Sequence, residues 1–163
     1  MILKTSNLLY LFDFDGTLAG SDDWVGFIHN CKLSFKNLHF NPHKFDIRWS
    51  ILTSRPKIDK FLVRAVCIYH RLYPELIITA PTWTWKFENS EQEFKYKEQT
   101  IKSILSGDYS KKFERPITKV CYIDNNVEMI RYLNDHRESY RYIALTISDF
   151  VHKDYVQLLS GDD

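Results

Sequence analysis

The pentapeptide Asp13-Phe14-Asp15-Gly16-Thr17 places two carboxylates one residue apart, directly after the apolar run 8–12. Like charges this close repel, and a fold keeps such a pair where a cation or a phosphate gives the charges something to bind. Phosphoryl transfer suits them. Phosphate-monoester hydrolysis is among the slowest uncatalysed reactions, so an enzyme must supply a nucleophile, charge neutralisation and leaving-group protonation together. A carboxylate such as Asp13 can attack phosphorus, and a second carboxyl two residues on, Asp15, can hand a proton to the leaving oxygen. Gly16 lets the chain turn away at once, and Thr17 offers a hydroxyl and a backbone N–H to a phosphate. The plainer reading is an Asp-Gly turn that closes an ordinary strand.

Three further polar groups follow apolar runs. Ile51-Leu52 leads into Thr53-Ser54-Arg55, where backbone N–H groups that open a helix favour an anion. A simple helix N-cap at Thr53 or Ser54 is the alternative, and the two roles are compatible. Between residues 90 and 105, Phe94, Ile101, Ile104 and Leu105 form one apolar stripe. Lys97 falls inside that stripe, whereas Lys95 and Lys102 fall to the side. A cation on an inward face needs a partner, and the strand-end carboxylates would serve. The alternatives are a lysine whose stem merely covers the core, or Lys95 in its place. Val120-Cys121-Tyr122-Ile123 ends in Asp124-Asn125-Asn126, an acid with amides behind it, or only a turn.

Leu-Phe-Asp-Phe-Asp-Gly-Thr-Leu, residues 11–18, resembles the first motif of the haloacid dehalogenase superfamily, most of whose members are magnesium-dependent phosphatases. The resemblance implies that Asp13 is the nucleophile that becomes an aspartyl-phosphate and that Asp15 is the general acid and base. Thr53 stands at the second motif, which holds the transferred phosphoryl group, although Ser54 replaces the glycine of its familiar form. Lys97 stands at the third motif, balancing the charge of nucleophile and phosphate. Asp124 stands at the fourth, binding Mg2+ with Asp13 and the main-chain carbonyl of Asp15. Relatives usually carry another acid nearby. Here Asn125 and Asn126 intervene and Glu128 is the nearest acid, so ligation by Asn125 and support from Glu128 are both open. Two carboxylates, a carbonyl and a phosphate oxygen satisfy magnesium, which retains waters. The four motifs run in order across residues 8–130. Residues 51–55, Lys97-Glu98 and residues 122–124 resemble, more loosely, the phosphatase half of phage-type polynucleotide kinase and phosphatase enzymes. That second resemblance implies nucleic-acid 3'-phosphate ends, or nucleotides, as substrates.

These residues need elements to position them. Residues 8–12, 49–53, 76–79, 119–123 and 142–147 are short, near-continuous apolar runs, as expected of parallel strands covered on both faces. Pro56 suits a first helical turn, with Ile58, Phe61, Leu62, Ala65, Tyr69 and Leu72 at helical spacing behind it. Ser90 and Glu93 match a capping box for a helix that ends before Gly107. The expected fold class is α/β, a mainly parallel five-stranded sheet with helices on both faces. By resemblance it is the three-layer, Rossmann-like haloacid dehalogenase fold. Ligands then bind beyond the carboxyl ends of the strands, where these polar residues lie. The gaps at residues 18–49 and 80–97 leave no room for a large cap domain. An open site favours a large substrate or a partner acting as lid. Trp83, Trp85 and Phe87 share one face if residues 82–87 are extended. Core packing is the commoner fate of such aromatics, and stacking on bases beside Lys86 is the functional one. Arg55, Lys57, Lys86, Lys111 and Lys112 either line a phosphate track or are ordinary solvated cations.

A chain of 163 residues, 44% hydrophobic, reads as one domain over 1–163, with a surface loop at 106–116 and a frayed tail at 160–163. Its formal net charge of +1 gives no overall case for nucleic acid or membrane. Cys31, Cys67 and Cys121 form no C-x-x-C pair, which suits a reducing cytosol, with Cys67 and Cys121 in the core. Asp13 and Asp15 interrupt the N-terminal apolar stretch before it reaches the length of a signal peptide or membrane span, so a soluble, cytoplasmic protein is expected. None of the six histidines has a convincing chemical partner. The competing functional reading is a binding or scaffold protein that keeps the fold, with or without the cation, and has no useful turnover; Ser54 and Asn125 motivate it.

Overall fold

A computed structural model describes residues 7–21, 26–83, 87–139 and 141–152. Its centre is a sheet of β1 (Leu8–Phe12), β2 (Trp49–Leu52), β3 (Ile77–Ile78), β4 (Lys119–Ile123) and β5 (Tyr142–Leu145), in the order β3-β2-β1-β4-β5. Every pairing is parallel. Apart from the half-buried first residues of β1 and β4, all strand residues are buried. That is why the strands read as apolar runs rather than as alternating patterns. β2, β3 and β5 are one or two residues shorter than the apolar runs that announce them.

Side chains alternate across the sheet and divide the core in two. On one face Tyr10, Phe12, Ile51, Cys121 and Ile143 meet α1 (Phe27–Lys36), α2 (Lys60–Tyr69) and α5 (Ile147–His152). On the other, Leu9, Leu11, Leu52, Val120 and Tyr122 meet α3 (Ser90–Ser106) and α4 (Val127–Asp135). Helices on both faces of a parallel sheet make a three-layer α/β architecture of Rossmann-like kind. Each fully buried Leu, Ile or Phe contributes roughly 1.5–3 kcal/mol by leaving water. β1, with its last four residues buried, is held by this burial and by ladders to β2 and β4 on its two sides.

α2 departs from expectation. Pro56 precedes a 3-10 turn at Lys57–Asp59, and the α-helix begins only at Lys60. A 3-10 turn has three residues per turn rather than 3.6, so the phase of the helix shifts. Val63, Val66 and Cys67 face the sheet, while Ile58, Phe61 and Tyr69 are 62%, 82% and 65% exposed. Of the positions that the helical spacing marked, Leu72 is buried and Leu62 packs against the core, whereas Ile58, Phe61 and Tyr69 face outward. α3 keeps its expected inward face and ends on Gly107 in the left-handed region at φ 95°. Its cap is Asn89, whose side chain accepts from the Gln92 N–H at 3.0 Å, and not a Ser90–Glu93 box. Residues 107–115 are turns and bends, yet they bury Phe113. Trp83 is 72% exposed, against the expectation of core packing. Trp85, Lys86 and the tail at 160–163 lie outside the described residues. Among the described residues no helix is long and apolar enough to cross a membrane.

Candidate active site

Phe12 pairs with Ile123 across β1 and β4, so Asp13 and Asp124 leave adjacent strands side by side; Asp13 N–H donates to Ile123 O at 2.9 Å. Alternation also sets their faces. Asp13 follows Leu9 and Leu11, and Asp124 follows Val120 and Tyr122, onto the face covered by α3. There Lys97 Nζ donates to Asp13 Oδ1 at 2.6 Å, Leu52 O at 2.6 Å and Tyr122 OH at 2.9 Å. All three ammonium protons have partners, as a lysine 0% exposed requires. Tyr122 OH in turn donates to Asp124 Oδ2 at 2.6 Å, and Asp124 Oδ1 accepts from Asn126 N–H at 2.9 Å. Lysine, phenol and both acids form one buried network.

Burial pushes the Asp13 carboxyl well above the usual carboxylate range; Lys97 opposes the rise, and the charges of Asp124 and Asp15 reinforce it. Burial, then the neighbouring Asp124 and Asp13 charges, also raises the Tyr122 phenol, which stays a proton donor.

Asp15 is held from the other side. Arg55 Nε donates to Asp15 Oδ2 at 2.8 Å and Nη2 to Oδ1 at 2.7 Å, a bidentate clamp. Arg55 is not a surface cation: it is 2% exposed, with its guanidinium carbon 5.5 Å from the Phe14 ring centroid. Burial alone would lower its guanidinium; hydrogen bonds and charge from Asp15 outweigh that and hold it above its ordinary value. Its Nη1 lies 3.6 Å from Asp59 Oδ2, too far for a hydrogen bond. Both of those atoms are buried, and neither has a hydrogen-bond partner.

The remaining polar residues mostly brace the loops. Thr17 donates its hydroxyl to Asn125 Oδ1 at 3.0 Å and accepts from Asn125 N–H at 3.1 Å, stitching the turn after β1 to the turn after β4. Gly16, at φ 69°, makes the first of these turns possible. Thr53, 1% exposed, accepts from Arg55 N–H at 3.2 Å through Oγ1. Ser54 donates to Glu93 Oε1. Lys95 pairs with Glu91 on the surface at 2.6 Å and takes no part in the network. Glu128 is exposed in the first turn of α4. Trp83 stands beside Lys57, whose Nζ is 5.9 Å from its ring centroid, and does not line the cleft.

A cleft of about 520 Å³ opens beyond the carboxyl ends of β1 and β2, lined by Asp13, Asp15, Ser54, Arg55, Phe87 and Glu93 among others. Four acids, Asp13, Asp15, Glu93 and Asp124, face two cations, Lys97 and Arg55, which are both already paired. Among the described residues no group of three His, Cys, Asp or Glu side chains is arranged to hold a metal. What is present is hard oxygen: two adjacent, mutually repelling carboxylates with an excess of negative charge. That donor set fits magnesium, which takes one or two carboxylates and keeps its waters, and does not suit zinc.

Tyr122 and Glu93 are the site residues that sequence reasoning missed. Tyr122 stands two positions before Asp124 on the same strand face, and that spacing was a usable signal. Comparison of the chain with family models, curated proteins and solved structures gives no match.

Proposed function

We propose that this chain is a magnesium-dependent phosphomonoester hydrolase of the haloacid dehalogenase kind, working through an aspartyl-phosphate on Asp13. The observation that carries the reading is the convergence of Asp13, Lys97, Tyr122 and Asp124, from three separate elements, into one buried network whose Asp13 lines the cleft. A structural role alone would favour apolar residues at so buried a place, since a buried ion pair is weak evidence for stability.

Lys97 occupies Asp13 Oδ1, leaving Oδ2 to attack phosphorus. Lys97 neutralises the nucleophile and stabilises charge that develops on the phosphoryl oxygens. Asp13 and Asp124, with the Asp15 carbonyl, would hold Mg2+. When bound, the ion supplies charge neutralisation and orientation of the phosphoryl oxygens. Tyr122 keeps Asp124 turned toward Asp13 by donating to its Oδ2. Asp15 protonates the leaving oxygen and afterwards takes a proton from the attacking water. Both of its oxygens accept from Arg55, so Arg55 must release one before the transfer. Ser54, which lines the cleft, would offer its backbone N–H to the phosphoryl oxygens, whereas the Thr53 N–H is already given to Ile78 O at 2.9 Å.

Asp13→Asn should abolish magnesium-dependent turnover of p-nitrophenyl phosphate, read as phosphate release against chelator controls. Wild-type rates in that variant would refute the mechanism. The clamp of Arg55 on Asp15 favours the second reading, a binding protein without turnover. Magnesium binding by calorimetry without hydrolysis of any phosphomonoester would support that reading instead.

A further inference from the structure

The active-site cleft has a wall built by the start of α3 and the residues before it, beside the phosphoryl site, and its composition is specific. Phe87 lines it and stacks on Tyr96, with ring centroids 5.3 Å apart and planes at 27°, so one aromatic face is fixed in place. Asn89 and Asn126 line it as the caps of α3 and α4. Their Oδ1 atoms are committed to helix N–H groups, Gln92 for Asn89 and Glu128 and Met129 for Asn126. Each amide therefore offers the cleft its NH2 group, a neutral donor. Glu93, on the first turn of α3, adds a carboxylate acceptor that Ser54 steadies through Oε1. Among the described lining residues the cation is Arg55, which is clamped on Asp15 and flanked by Asp59.

Neutral donors, a charged acceptor and an aromatic face match a molecule rich in hydroxyl groups. Hydroxyls donate to a carboxylate and accept from amides, and the C–H faces of a polyol ring pack on an aromatic plane. A second phosphate would meet Glu93 with no free described cation to balance it, which like-charge repulsion in a partly buried cleft makes unfavourable. The volume, about 520 Å³, lies in the usual range for small-ligand sites.

We propose that the cleft selects monophosphate esters of small, hydroxyl-rich alcohols, sugars or polyols, with Glu93 as the residue that recognises the hydroxyls and rejects a second phosphate. This rests on the phosphatase reading given above. It departs from the nucleic-acid ends that the looser sequence resemblance implies.

The test is a wild-type panel with magnesium: a hexose monophosphate, the matching bisphosphate, a 3'-phosphorylated oligonucleotide and p-nitrophenyl phosphate. The hexose monophosphate should exceed the bisphosphate and the oligonucleotide in kcat/KM by about tenfold or more, the size of one charged hydrogen bond. Glu93→Lys should narrow or invert that ratio, and Glu93→Gln should narrow it less. Because these are ratios within one variant, a loss of folded protein does not mimic them. Preference for the oligonucleotide or the bisphosphate overturns the inference and leaves the phosphatase reading intact, as does a ratio unmoved by Glu93→Lys. No turnover of any of the four, p-nitrophenyl phosphate included, removes the phosphatase reading and the inference with it.

Discussion

Tyr122 is the residue whose removal isolates one link of the site at little cost to packing. Tyr122→Phe keeps the ring and deletes the hydroxyl that accepts from Lys97 and donates to Asp124. Two buried groups lose a partner, so unfolding free energy should fall by about 1–3 kcal/mol in chemical denaturation. Lys97→Met should be milder than the usual loss of a buried ion-pair partner, about 3–5 kcal/mol. Burial already drives Asp13 toward its neutral form, and a protonated carboxyl left behind is cheaper than a bare charge. A fully destabilised Lys97→Met with an intact Tyr122→Phe would show that Asp13 stays ionised. Asp13, Asp15, Thr53, Lys97 and Asp124 were legible because each stands at a set place relative to an apolar run. Tyr122 was passed over because an aromatic residue inside a strand reads as core, and here it is core as well; its place two before Asp124 was the one mark of its second role. Arg55 stayed open between a phosphate track and a solvated cation, because the acid it grips, Asp15, lies forty residues away in sequence.

α3 delivers Lys97, and its register depends on where it starts. Asn89 fixes that start by capping Gln92 N–H, and Gly107 fixes the end. Asn89→Ala should cost about 1 kcal/mol and speed hydrogen exchange in the first turn. The five strands were legible because parallel strands buried on both faces carry continuous apolar runs. Their order was not written in any local pattern; it follows from right-handed crossovers once β1 sits in the middle. The inward face of α2 was legible only in part: Leu62 and Leu72 pack in the core, and Phe61 and Tyr69 do not. Two apolar stripes compete there, and only the packing of Val63, Val66 and Cys67 against the sheet decides between them. Periodicity reports that a helix is amphipathic, and it cannot rank two apolar faces of similar length.

Charge balance governs the molecule as a whole. Asp13 binds its proton more tightly in the folded state than its ordinary value, so between the two values the folded state carries more protons than the unfolded one. Stability of the metal-free protein should therefore fall as pH rises through that window, from the ordinary carboxylate range upward. Magnesium favours the ionised carboxyl and should flatten or reverse the slope. At a hundredfold excess over its dissociation constant the ion adds about 2.7 kcal/mol, roughly 5–10 °C in Tm for a chain of this size. Asp124→Asn should remove most of that gain. A Tm that ignores magnesium at every pH would leave the paired acids without the cation that justifies them.

Covalent chemistry at Asp13 is the claim on which the rest depends. In Asp15→Asn the base for the second step is missing, so the acyl phosphate should accumulate. Acid quenching of that variant after mixing with p-nitrophenyl phosphate and magnesium, followed by peptide mass mapping, reads the intermediate directly. The expected result is one phosphoryl group on the peptide that contains Asp13, removable by hydroxylamine. Phosphate released at wild-type rates, with Asp13 unmodified at every time point, would contradict it.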